Sequence, residues 1–208
     1  MAGFKCLVVD DHPIVRQGIC TLLGRTLAGA TVAEAASASA ALTAIQREPW
    51  DLLVLDIALP DKHGLEVLKE AKLLRPTLPV LMLSLYPERE FALRALKAGA
   101  AGYLSKDRDP DELIQAVKAV LTGGRYITPS LAEQLALHMT GQRALALHEG
   151  LSDRELEVLR LLGQGKTVSG IAEKLALSVK TVSTYRTRLL EKLRLQTTAE
   201  LVRYAIEA

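Results

Sequence analysis

Lys5-Cys6-Leu7-Val8-Val9-Asp10-Asp11-His12-Pro13 is the stretch on which the fold turns. Its apolar run has no polar alternation, the mark of a strand covered on both faces in a parallel sheet. It ends in two acids, and a helical pattern follows over residues 13–23, with Ile14, Ile19, Leu22 and Leu23 on its apolar side. A dinucleotide-binding fold would place Gly-x-Gly-x-x-Gly at this junction. Asp10-Asp11-His12-Pro13 stands there instead, which excludes it.

Outward from this unit the same alternation repeats. A weaker strand is expected over residues 31–35. Leu52-Leu53-Val54-Leu55-Asp56 and Val80-Leu81-Met82-Leu83-Ser84 are again buried-type runs, and Gly102-Tyr103-Leu104 is a fifth. Helical patterns over residues 39–47, 64–74, 88–98 and 110–121 separate and follow them. Five βα units predict a doubly wound α/β domain with a five-stranded parallel sheet in the order 2-1-3-4-5, over residues 1–122. Gly123 and Gly124 end the fifth helix. Residues 123–148, with one helical segment near 129–139, read as an interdomain connection. Residues 149–208 read as a small all-α domain of four helices. Ser152 and Glu155 make a capping box for the first, Ala176-Leu177-Ser178 is a tight turn, and Ser178 caps the third, over 179–193.

The chain has 208 residues and a net charge of +2, too small to show nucleic-acid binding by itself. The charge is uneven: residues 1–122 hold 14 Lys/Arg against 15 Asp/Glu, and residues 151–208 hold 10 against 7. The C-terminal part is therefore the one expected to meet an anion. No stretch of about 18 apolar residues exists to span a membrane, and no signal-peptide layout is read at the N-terminus. Cys6 and Cys20 read as small buried hydrophobes in a reducing cytoplasm, the expected location.

Ligands of a parallel α/β sheet bind outside the C-terminal ends of its strands. Asp10 and Asp11 end the first strand and Asp56 the third, which is its neighbour in the expected order. Three converging carboxylates raise one another's pKa unless a hard cation such as Mg2+ joins them. Ser84, from the fourth strand, and Lys106, just past the fifth, reach the same rim. A hydroxyl and a cation facing a metal-bound carboxylate form a pocket for a phosphoryl group, with Asp56 as the nucleophile. An Asp pair after a strand is ordinarily a turn or a cap. The ordered set, each member at its own strand end, is what points to chemistry.

Asp10-Asp11-His12-Pro13, the run from Leu55-Asp56 to His63-Gly64, Ser84, and Gly102-Tyr103-Leu104-Ser105-Lys106-Asp107 together resemble the receiver domains of response regulators, which have the flavodoxin-like fold. The resemblance covers residues 4–121. It implies that Asp10, Asp11, Asp56 and the backbone carbonyl of Ala58 hold Mg2+. It also implies that Asp56 takes a phosphoryl group from a sensor histidine kinase, that Ser84 and Lys106 report it, and that Tyr103 is a switch aromatic. A phosphatase or mutase of haloacid-dehalogenase type would carry a second Asp two residues after the nucleophile. That position is Ala58, so no enzyme is expected.

On the helix over 179–193, Val182, Tyr185, Leu189 and Leu193 form one face, expected to pack inward. Lys180, Ser183 and Thr187 point the other way, with Thr184 beside them and Arg186 and Arg188 at the borders. That outer face suits a major groove of double-stranded DNA. Thr181, Tyr185, Arg186 and Lys192 are placed to touch phosphates. Leu151-Ser152-Asp153-Arg154-Glu155, Ile171-Ala172-Glu173-Lys174-Leu175 and Ser178-Val179-Lys180-Thr181-Val182 look like the LuxR-type helix-turn-helix. Joined to a receiver, this resembles the NarL/FixJ type of response regulator, and the run Thr181-Val182-Ser183-Thr184-Tyr185 resembles the subgroup that includes the EvgA, BvgA and GacA regulators. The resemblance implies a transcription regulator that forms a homodimer on phosphorylation, with promoter DNA and RNA polymerase as partners. Ser183 and Tyr185 depart from the Lys and His often found there, and Val168 and Gly170 from Asn and Glu. Base preference therefore does not transfer.

Overall fold

The structure, a computed structural model of the chain, describes residues 3–139 and 150–207. It divides into two compact units, Met1–Thr140 and Gly141–Ala208. In the first, five strands alternate with helices in chain order: β1 (Lys5–Val9), α1 (Pro13–Thr26), β2 (Thr31–Ala35), α2 (Ala38–Arg47), β3 (Leu52–Leu55), α3 (Gly64–Leu74), β4 (Val80–Ser84), α4 (Glu88–Lys97), β5 (Gly102–Ser105) and α5 (Pro110–Leu121). The strands form one parallel sheet in the order β2-β1-β3-β4-β5, as expected.

Alternate residues of a strand point to opposite faces, and both faces here are covered. Cys6, Val8, Leu52, Val54, Leu81, Leu83 and Leu104 join Ile19 and Leu23 of α1 and Leu113 and Val117 of α5 in one core. The other face carries Leu7, Leu53, Leu55, Met82 and Tyr103, all buried. α2 packs against β1 and β2 and α4 against β5, with α3 between those helices. This two-sided burial is why the central strands read as continuous apolar runs. β2, at the edge, has only Ala35 buried, which is why its signal is weak. α1 runs three residues beyond the sequence expectation, because Leu23 and Leu27 turn inward and carry the helix past Gly24.

After α5 the chain returns along the sheet. Tyr126 bridges Gly102 in parallel, its N–H donating to the Ala101 carbonyl at 2.9 Å, and its hydroxyl donates to Glu112 at 2.7 Å. α6 (Pro129–Met139) then packs on α4. Thr128 and Ser130 give their hydroxyls to the Glu88 carboxylate at the start of α4, and Leu131 is fully buried. The rest of the expected interdomain connection lies, over 140–149, outside the described residues.

The second unit is helical: α7 (Asp153–Gly163), α8 (Val168–Lys174), α9 (Val179–Leu193) and α10 (Thr198–Glu207). The capping box of Ser152 and Glu155 is formed in both directions. Thr167 caps α8 and Ser178 caps α9. Val158, Leu161, Leu162, Ile171, Val182, Leu189, Leu193 and Leu201 form the buried interior. Among the described residues no helix is long and apolar enough to cross a membrane.

Candidate phosphoacceptor site and DNA-facing helix

The sheet's own hydrogen bonds bring the site together. The ladder continues one residue past each strand: Asp10 N–H donates to Ala35 O at 3.2 Å, Asp56 N–H to Val9 O at 2.9 Å and Lys106 N–H to Ser84 O at 2.9 Å. Asp10 and Asp56 are therefore the first residues beyond two paired neighbouring strands. They emerge at one rim, and both are buried, at 1% and 2% exposure.

Lys106 is the cation between them. Its Nζ lies 2.6 Å from Asp56 Oδ2 and 2.7 Å from Asp10 Oδ2, with its side chain 6% exposed. The contact to Asp56 is a hydrogen bond, whereas that to Asp10 is an ion pair without hydrogen-bond geometry. Burial dominates the titration of Asp56. It raises the carboxyl from the ordinary 3.8 to about 6 although Lys106 pulls the other way. Burial also works against the charge of Lys106, but the two carboxylates outweigh it and hold its pKa above the ordinary value.

Asp11 and His12 complete the rim. His12 Nδ1 lies 2.6 Å from Asp11 Oδ1, and the His12 N–H donates to Asp10 Oδ1 at 2.9 Å. One ligand atom from each of Asp10, Asp11, His12 and Asp56 falls within 4.8 Å of the others. Asp10 Oδ2 and Asp11 Oδ1 are buried and accept no hydrogen bond among the described residues. A cluster of carboxylate oxygens with spare lone pairs is the donor set that a hard divalent cation takes, so the residues present fit Mg2+.

The loop after β3 is shaped by close approach. The Ala58 N–H donates to Asp56 Oδ1 at 3.3 Å. Gly64 sits against the same backbone: a Cβ there would lie 2.1 Å from Asp56 O and 2.6 Å from Ile57 Cα, so only glycine fits. His63 caps α3 through Nδ1 and is fully buried, its ring 6.0 Å from that of Phe91. Asp61 holds the amides of Ala38 and Ser39 at the start of α2, at 2.8 and 2.9 Å.

Ser84 is fully buried at the end of β4, its Oγ accepting from the Tyr86 N–H at 3.2 Å. Tyr103 is fully buried too, and its hydroxyl donates to the Tyr86 carbonyl at 2.7 Å. Burial pushes its phenol far above the ordinary range. Asp10, Asp11, Asp56, Ser84 and Lys106 thus share one sheet rim, with Tyr103 turned inward beside Ser84. The sequence reading missed His12, Asp61 and Arg16. The Arg16 guanidinium donates to Asp10 O at 2.6 Å and to Glu34 at 2.9 Å. One helical turn into α1 from the acid pair, it carries no signal in the sequence that ties it to them.

In the second unit, Lys180, Thr184, Thr187 and Arg188 of α9 are exposed, and Thr181, Ser183, Tyr185 and Arg186 are half-buried. Val182, Leu189 and Leu193 are buried on the opposite side. The hydroxyls of Thr184 and Thr187 donate back to Lys180 O and Ser183 O, at 3.0 and 3.1 Å. Lys192 is exposed and paired with Glu155 of α7.

The strand order and its rim of acids place the first unit among receiver-type α/β domains. Residues 6–118 match the response regulator receiver domain family, and residues 149–205 match the bacterial regulatory proteins of the luxR family. The transcriptional activator protein ExaE of Pseudomonas putida is 42% identical over 204 residues, 97% of this chain and 95% of ExaE. The response regulator GacA of Pseudomonas aeruginosa is 35% identical over 203 residues, 97% of this chain and 95% of GacA. RcsB from Salmonella enterica serovar Typhimurium, solved bound to promoter P1flhDC with the phosphomimetic BeF3-, aligns with a TM-score of 0.61 and 26% identity over 97% of each chain. The chain belongs to the response regulators that join a receiver domain to a LuxR-type DNA-binding domain, the NarL/FixJ type, and it regulates transcription. It is such a regulator and not an enzyme of phosphate metabolism.

Proposed function

We propose that this regulator is switched by phosphorylation of Asp56 and reads promoter DNA with α9. The observation that carries the first half is the sharing of one buried ammonium by Asp10 and Asp56. In the transfer, an Asp56 oxygen attacks phosphorus of a phosphohistidine on a sensor kinase. The P–N bond breaks, a carboxyl O–P bond forms, and the imidazole leaves with its electron pair and takes up a proton. Asp10, Asp11, Asp56 and the Ala58 carbonyl would hold Mg2+, which supplies charge neutralisation for the transferred group. Lys106 keeps a cation beside it, and Ser84 Oγ would donate to a phosphoryl oxygen.

The acyl phosphate brings about −1.5 to −2 charge to the rim. Lys106 and Ser84 adjust to it, and Ser84 is tied to Tyr103 through Tyr86, so the face built by α4, β5 and α5 shifts with the change. On this reading phosphorylation favours a homodimer, and its two copies of α9 meet related half-sites in successive major grooves. Lys180, Ser183, Thr184, Thr187 and Arg188 face base edges and their borders, while Thr181, Tyr185 and Arg186 reach phosphates. RcsB bound to DNA, including two dimers on two parallel DNAs, supports this arrangement. RNA polymerase is a further partner at the promoter, and the protein acts in the cytoplasm, where bacterial DNA lies.

Labelling with radioactive acetyl phosphate tests the input. Wild type incorporates phosphate only with Mg2+ present, Asp56→Asn does not, and acid-stable labelling of Asp56→Asn would overturn the assignment.

A further inference from the structure

Lys192 was expected to touch a DNA phosphate, yet its ammonium is turned toward α7. Nζ donates to Glu155 Oε2 at 2.7 Å. Glu155 stands in the first turn of α7 at 2% exposure, and the same Oε2 accepts the Ser152 N–H at 2.7 Å. One buried oxygen therefore closes the cap of α7 and receives a cation from the last turn of α9. A carboxylate this deep is costly unless it is paired and hydrogen-bonded. Burial by itself would raise its pKa, and the bonds from Lys192 and Ser152 hold it below the ordinary value instead.

Helical spacing separates Lys192 from the outward stripe. Lys180, Thr184 and Thr187 recur every three or four residues on the exposed side, and Val182, Leu189 and Leu193 lie opposite. Lys192 falls on the flank between them, on the side from which it reaches the start of α7. With its charge matched by Glu155, it has little to gain by displacing counterions from DNA.

We propose that Lys192 is a positioning residue for DNA recognition: through Glu155 it pins the C-terminal end of α9 to the start of α7 and sets the angle at which the outward stripe of α9 is presented. This rests on α9 being the helix that meets DNA. Pinning and phosphate contact differ in sign. If Lys192 acts through Glu155, removing the carboxylate harms DNA recognition although it removes a negative charge. If Lys192 serves a phosphate, removing the carboxylate frees the cation and improves binding.

The test uses the full chain, a duplex selected from a random pool by the wild-type protein, and a mixed-sequence duplex, both measured by anisotropy at several KCl concentrations. Glu155→Gln and Lys192→Met are each expected to lose about tenfold in affinity for the selected duplex, within the range of ordinary site-to-site coupling. The double variant loses no more than either single one, Lys192→Arg recovers most of the loss, and affinity for the mixed-sequence duplex stays within about twofold of wild type, because the phosphate contacts are intact. The salt dependence of all four stays that of wild type. Tighter binding by Glu155→Gln, or a salt slope lowered by about 0.9 in Lys192→Met, would overturn the proposal. Should Glu155→Gln lose its helical circular dichroism, Lys192→Met against Lys192→Arg decides on the salt slope alone, since the capping box does not need Lys192. Lys180→Gln is the control: if it leaves the slope unchanged, it is the reading of α9 as the DNA-facing helix that fails.

Discussion

Asp56→Asn is expected to stabilise the metal-free protein at neutral pH and to lose that advantage in acid. Burial holds the Asp56 carboxyl at about 6 instead of 3.8. At about 1.4 kcal/mol per pH unit, ionising it inside the fold costs about 3 kcal/mol more than in the unfolded chain. Because the folded value is the higher one, the folded state holds the proton more tightly. The stability this gives is complete below pH 3.8 and is lost as the pH rises through about 6. The neutral amide of the variant carries no such cost, and Lys106 is not stranded by the change, since Asp10 Oδ2 remains 2.7 Å from its ammonium. Urea unfolding in EDTA, followed by the single tryptophan, Trp50, reads the first unit directly. Asp56→Asn should exceed wild type by about 3 kcal/mol at pH 7.5 and by about 1 kcal/mol at pH 4.5. Saturating Mg2+ should narrow the gap at pH 7.5, because it binds the wild-type carboxylates more tightly. A variant less stable than wild type in EDTA at pH 7.5, or a gap that ignores pH, would show that burial of the Asp56 carboxylate carries no such cost.

Gly64→Ala drives a methyl into the backbone of Asp56 and Ile57. It should destabilise the first unit by about 1–3 kcal/mol and slow acetyl phosphate labelling; equal melting temperature and labelling rate would show that the loop yields freely. Leu131→Ala removes a fully buried side chain from α6 and should cost about 2–5 kcal/mol in Trp50-detected urea unfolding. No change there would mean that α6 contributes nothing to the stability of the first unit. Tyr103→Phe removes the hydroxyl that donates to the Tyr86 carbonyl and should cost about 0.5–1.5 kcal/mol, read in the same unfolding assay. An unchanged midpoint would show that the hydroxyl does not hold Tyr86 in place.

Much of this architecture could be read from residue order alone, for a physical reason. β1, β3 and β4 are covered on both faces, so their residues must be apolar without a break. Their ends are marked because the chain reaches the rim there, at Asp10 and Asp56, the first residues past β1 and β3, and at Ser84, the last residue of β4. β2 was weaker because one edge faces solvent and Thr31 and Glu34 are exposed there. The site's supporting bonds were not legible. Arg16 reaches a main-chain carbonyl, His12 pairs with its own neighbour, and Asp61 bonds amides of another helix; none of these leaves a periodic or compositional trace. The partner of Lys192 was hidden for a related reason. Position on a helix fixes the direction in which a long side chain starts, but Glu155, 37 residues earlier, decides where its charge ends.

The bridge between Gly102 and Tyr126 has a bearing on how copies of this chain can meet. A sheet with bare margins invites another chain to add a strand. Here the β5 margin is partly occupied by the protein's own returning backbone, and the β2 margin carries Thr31 and a Glu34 engaged by Arg16. Strand-to-strand polymerisation is thereby discouraged on both sides, so the dimer proposed above would have to form through surfaces made of helices.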